Sequence, residues 1–141
     1  MEMTTTIKAF LENTNLISYN SKEYSRVSFQ NIEEIRINPT ADRVHWINTY
    51  GMEYREIVKS IIRSNKLDDF LLKLINDDEH RNKVIELDDV VFFAVQVLIK
   101  GEKELAFEQM IFIASNNYVW SIQERPGDYF EWIRERLGSN F

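Results

Sequence analysis

The sequence predicts an α/β (α+β) fold: a three-layer α/β/α sandwich whose mixed, largely antiparallel sheet is covered by helices. Three observations carry that expectation. Two stretches in the middle of the chain repeat apolar residues at helical spacing. After Asn82 the pattern changes to long extended apolar runs separated by short polar turns. A last helical stripe then closes the chain. Helices interleaved with strands in this order pack as layers on a sheet.

The first forty residues carry the weakest pattern. Thr6 to Leu11 and Ile17 to Phe29 hold short apolar alternations broken by Asn, Ser and Lys, which read as edge strands and turns. Ile35 and Ile37 alternate before Pro39. Val44-His45-Trp46-Ile47-Asn48 then reads as an inner strand that Gly51 closes.

Two helices follow. Tyr54, Ile57, Val58, Ile61 and Ile62 lie at i, i+3, i+4, i+7 and i+8, one face of a helix over Glu53 to Arg63. Leu67, Phe70, Leu71, Leu74 and Ile75 repeat the spacing and predict a second helix over Leu67 to Ile75. Ser64-Asn65-Lys66 separates the two, and Asp68 and Asp69 suit the positive end of the second. Asn76 to Asn82 is a polar turn.

Val90 to Ile99 is almost entirely apolar, which predicts an interior strand buried on both faces. Lys100-Gly101-Glu102-Lys103 makes a hairpin turn, Leu105 to Ala114 returns, Ser115-Asn116-Asn117 turns again, and Tyr118 to Gln123 runs back. Asp128 then caps a helix over Tyr129 to Leu137 that places Phe130, Ile133 and Leu137 on one face.

Composition narrows the function classes. At 141 residues, 44% apolar and 28% charged, the chain is expected to be one domain with a core of its own. It contains no Cys, which excludes disulfides and thiolate metal sites. A net charge of −6 without a basic stripe argues against nucleic acid. The longest unbroken apolar run, Val90 to Val95, is too short to span a membrane, and the N-terminus lacks a signal peptide's basic and apolar regions. A soluble protein of the cytosol is the expectation.

Catalytic motifs are missing from the sequence: it has no Gly-x-Ser-x-Gly elbow, no phosphate-binding glycine loop and no Cys nucleophile. No enzyme activity is therefore expected. His45 and His80 stand far apart without a second His at helical spacing, so they read as ordinary histidines. Carboxylates pair at Asp68-Asp69, Asp77-Asp78-Glu79 and Asp88-Asp89. Such oxygen donors suit magnesium or calcium, although each pair reads first as a solvated turn or helix end. No EF-hand loop is present.

Ser121 to Leu137 joins a strand to a helix through Gln123-Glu124-Arg125-Pro126-Gly127-Asp128, in which capping and turn residues dominate. With Trp46-Ile47-Asn48-Thr49-Tyr50-Gly51 upstream, this stretch resembles the N-terminal cytoplasmic domain of the CorA family of divalent-cation transporters. That family reads Phe-Gln-Glu-x-x-Gly-Asp followed by an Ile-Arg-Glu-Arg helix. Arg81-Asn82-Lys83-Val84 and Glu108-Gln109-Met110-Ile111-Phe112 are similar to two further family segments, in the same order. The resemblance runs from about Val44 to Leu137. In it Trp46, Asn48, Gly51, Gln123, Glu124, Gly127 and Asp128 are markers of the fold.

The resemblance implies a regulatory and assembly domain on the cytoplasmic side of a pentameric magnesium or cobalt channel, with the stalk helix and Gly-Met-Asn pore motif beyond Phe141. Excised, such a domain is expected to self-associate weakly or not at all, because copies carrying −6 each repel one another. The family's second helix carries an acidic pair that holds an intersubunit cation. Here the aligned positions are Lys73 and Leu74, or Leu72 and Lys73 in the neighbouring register, and neither retains a carboxylate. No tightly bound cofactor is expected. Weak binding of magnesium or another divalent cation would centre on Asp77, Asp78 and Glu79. The alternative is a stand-alone interaction domain that reuses the fold without a pore.

Overall fold

In the chain's middle third, the predicted apolar stripes fold as helices. A computed structural model describes residues 2–12, 14–36, 42–50, 55–77, 82–100, 104–116, 118–124 and 130–139. Helix α2, Arg55–Ser64, buries Ile57, Val58, Ile61 and Ile62, the face its spacing marks. It ends in a Schellman-type turn. Lys66 takes a left-handed φ of 55°, while Leu67 N–H donates to the Ile62 carbonyl and Lys66 N–H to that of Arg63. Helix α3, Phe70–Asn76, begins three residues later than its apolar stripe, because the Asp68 carboxylate accepts the Phe70 N–H at 2.9 Å.

Seven strands form one sheet: β1 Thr14–Tyr19, β2 Tyr24–Ser28, β3 Val44–Tyr50, β4 Lys83–Glu86, β5 Val91–Lys100, β6 Leu105–Ala114 and β7 Tyr118–Gln123. Their order is β2-β1-β3-β7-β6-β5-β4. Among the described residues, only β3 and β7 pair in parallel, and the other ladders are antiparallel. The mixed, largely antiparallel α+β sheet is as the sequence predicts. Residues 37–41, 51–54, 101–103 and 125–129, where the sequence predicts turns at Gly101 and Gly127, lie outside the described residues.

Alternation along the strands sorts the two faces. Ile47, Trp120, Ile122, Ile111, Ile113, Phe92 and Ala94 share one face and join Phe10, Leu11 and the apolar sides of α2 and α3 in one core. On the opposite face lie Trp46, Phe112 and Val119, beneath helix α4, Glu131–Ser139. Phe130, Ile133 and Leu137 line a cleft with Tyr19, Trp46 and Phe112, so the predicted face of α4 is the one that packs.

Three expectations are corrected. Thr6 to Leu11 belongs to helix α1, Glu2–Glu12, and not to a strand. Ile7, Phe10 and Leu11 also satisfy i, i+3, i+4 spacing, and burying Phe10 and Leu11 in the core selects the helix. Of β1 and β2, the two strands that overlap Ile17 to Phe29, only β2 is an edge; β1 lies between β2 and β3. Their turn is fixed by Asn20, whose side-chain oxygen accepts the N–H groups of Lys22 and Glu23 at 2.8 Å each. The third concerns β5, which is fully buried on one face only, through Phe92 and Ala94. The cleft beside α4 is lined from Tyr19 on β1 to Phe112 on β6, and on β5 the other face, Val91, Phe93, Val95 and Val97, is half-buried, while Leu98 further along is exposed.

Candidate functional site

The parallel pairing of β3 and β7 brings the two sequence motifs together. It sets Trp46 beside Val119, Asn48 beside Ser121 and Tyr50 beside Gln123. Residues two apart on a strand share a face, so Trp46, Asn48, Ser121 and Gln123 all point towards the α4 layer. There they form a hydrogen-bonded chain. Trp46 Nε1–H donates to Ser121 Oγ at 2.9 Å, Ser121 Oγ–H to Asn48 Oδ1 at 2.5 Å, and Asn48 Nδ2–H to Gln123 Oε1 at 3.2 Å. Asn48, Ser121 and Gln123 are buried, and a buried polar chain is tolerable only when its members are paired like this.

Helix α4 locks onto the chain from outside. Phe130 meets the Trp46 ring edge-on at 5.6 Å, and the Arg134 guanidinium lies 5.3 Å from the same ring. Arg134 is buried and donates from Nε to Glu131 Oε2 at 3.1 Å, while Arg26 on β2 holds the other Glu131 oxygen at 3.0 Å. Glu131 thereby ties the edge strand to the helix. At the end of β7 the Glu124 carboxylate accepts the Gln109 N–H at 2.7 Å, and Glu124 N–H donates to the Gln109 carbonyl. Glu124 fastens the strand end to β6. Gly51, Gly127 and Asp128 lie outside the described residues.

No member of this cluster is an activated nucleophile. The Ser121 hydroxyl donates to an amide oxygen and has no base to take its proton. Its chemistry is cohesion. The sequence reading missed Ser121 and Arg134; the signal was the period of two, which puts Ser121 on the face of Gln123 and opposite Asn48.

The candidate cation ligands are placed differently. Asp77 caps the C-terminus of α3, and its Oδ2 accepts Lys83 Nζ at 2.6 Å, an ion pair that competes with any metal. Asp78, Glu79 and His80 lie outside the described residues. Lys73 is exposed on α3, whereas Leu74 is part of the core. Among the described residues, no three His, Asp or Glu side chains stand close enough to share one metal ion.

His45 lies on the same face of β3 as Ile47, away from α4, with Nδ1 2.8 Å from Ser18 Oγ. Burial holds its pKa below the ordinary 6.5, and Arg43 pushes the same way against a smaller opposing pull from Asp42. The unfolded chain therefore binds this proton more readily than the folded one. Its contribution to stability is complete above about pH 6.5 and is lost as pH falls through the lowered folded value. Urea midpoints are expected to drop between pH 7.5 and 5.5, and His45→Gln should drop less. An identical drop in both proteins would assign the effect to other groups.

No family model matches the chain. In sequence it is similar to the cobalt/magnesium transport protein CorA of Thermotoga maritima, at 25% identity over 127 residues, 89% of this chain. In structure it is similar to the CorA magnesium transporter of Methanocaldococcus jannaschii, with a TM-score of 0.59 at 14% identity over 88% of the chain. In sequence and in fold the chain is thus similar to CorA proteins. The full-length CmaX protein shares the fold at a TM-score of 0.68 and 15% identity over 91% of the chain. The chain spans 36% of the T. maritima CorA, 37% of the M. jannaschii CorA and 40% of CmaX. The CorA resemblance and the buried chain share three residues: Trp46 and Asn48 on one strand and Gln123 on the other.

Proposed function

We propose that this chain is the soluble regulatory and assembly domain of a CorA-like divalent-cation channel, on the cytoplasmic side of a membrane. The observation that carries the reading is the match to a cobalt/magnesium transport protein over 89% of the chain. The internally satisfied cluster beneath α4 supports it, because it offers cohesion between sheet and helix and no reaction chemistry. Assembly into a pentamer then depends on the parts of the transporter outside this domain, and the excised domain associates weakly. A chimera in which this chain replaces the matching segment of the T. maritima protein tests the reading. It is expected to assemble in the membrane as the parent does, measured by light scattering in detergent. A chimera that remains monomeric while the parent assembles would oppose it.

Cation sensing in this domain is weak. A cation that binds the packed arrangement better shifts the population towards it, so weak sites give weak coupling. The acidic turn at Asp77, Asp78 and Glu79 is the proposed residual site. Lys83 already occupies an Asp77 oxygen, and Lys73 supplies an ammonium where relatives carry acid. Calorimetric titration is expected to give millimolar magnesium affinity, weakened by Asp77→Asn with Asp78→Asn and strengthened by Lys73→Glu. Micromolar affinity, or no response to the double substitution, would place the ligands elsewhere.

A further inference from the structure

Away from the α4 cluster, a cleft of about 310 Å³ opens where the α2–α3 turn, the β4–β5 loop and the β6–β7 turn meet. Asp68, Asp88 and Asp89 line it, with Ser115, Tyr118 and Lys66. Tyr118 differs from the rest. It is 4% exposed, and its Oη is buried without a hydrogen-bond partner. A buried hydroxyl with no partner is uncommon in a native protein and asks for an absent one.

Almost every polar group offered here is an acceptor. Asp68 uses one oxygen on the Phe70 N–H and keeps the other. Ser115 Oγ donates its proton to the Asp89 carbonyl, which leaves its lone pairs facing outward as acceptors. Three carboxylates against one ammonium leave the lining negative. Burial raises the Tyr118 pKa and the Asp89 charge raises it further, so the phenol stays neutral and lies within the field of the cleft's own carboxylates. The carboxylates are not grouped tightly enough to chelate one ion. Their spacing suits a ligand whose positive N–H donors are themselves separated, and the volume suits a small molecule.

We propose that this cleft binds a small organic cation with separated N–H donors, of the diammonium or guanidinium type, held by Asp68, Asp88 and Asp89 and by the Tyr118 hydroxyl. The site is distinct from the acidic turn at Asp77 and needs no transport activity.

Putrescine is the probe, titrated into the whole chain by calorimetry, with 1,4-butanediol as the neutral control. Saturable binding of putrescine alone is expected. Asp88→Asn with Asp89→Asn should weaken it about tenfold or more, and Tyr118→Phe about three- to tenfold. Tyr118→Phe keeps the ring and should fold at least as stably as the parent, since it removes an unpaired buried hydroxyl. Glu104→Gln with Glu135→Gln, the same charge change at exposed positions outside the cleft, should leave affinity unchanged. The proposal is overturned if putrescine does not saturate, if that remote pair weakens binding as much as the Asp pair, or if Tyr118→Phe binds like the parent. Tight magnesium binding that needs Asp88 and Asp89, without putrescine binding, would also overturn it.

Discussion

Trp120→Ala is expected to destabilise the domain by about 3–5 kcal/mol, the range for emptying a fully buried aromatic site. Trp120 is 0% exposed at the centre of the strand order, on the face covered by α1, α2 and α3. Its indole N–H also donates to Thr49 Oγ1 at 3.0 Å, so truncation leaves a cavity and deprives a buried hydroxyl of that donor. Domains of this size have about 5–15 kcal/mol in total, so the variant should sit near the edge of folding. Urea denaturation followed by circular dichroism reads the loss. A change below about 1 kcal/mol would mean that the core does not pass through this residue.

Asn48→Leu is the second large effect, at about 2–4 kcal/mol. Leucine has similar bulk but neither accepts from Ser121 nor donates to Gln123, and both partners are buried. Ser121 Oγ would still accept from Trp46, but as a donor it would keep only a long contact of 3.5 Å to the Ile47 carbonyl. Adding Ser121→Ala should restore part of the loss, because it removes the hydroxyl left without its acceptor. If Asn48→Leu unfolds at the parent's urea concentration, the chain from Trp46 to Gln123 does not hold the two motifs together.

Much of this architecture is legible in the sequence because burial writes a period. α2 and α3 show it at 3.6, and β5 to β7 show it as extended runs between polar turns. Thr6 to Leu11 misled because six residues with four apolar positions fit both periods, and only the core into which Phe10 inserts decides between them. The half-buried face of β5 was illegible for another reason: composition gives apolar content, and only the packing of the layers decides how much of it is covered. At the site, Trp46, Asn48, Gln123 and Glu124 were readable as motif, but their partnership arises from the parallel β3–β7 ladder, a pairing across more than seventy residues. The Asp77–Lys83 ion pair was hidden for the same reason, since it joins the end of α3 to the start of β4.

Ion uptake by the chimera with T. maritima CorA tests the central claim most directly. Reconstituted in vesicles loaded with a magnesium-sensitive dye, it is expected to admit magnesium, with a weaker response to internal magnesium than the parent if the proposed weak cation site is correct. A chimera that assembles like the parent yet admits no magnesium or cobalt would contradict the assignment of this domain to a transporter.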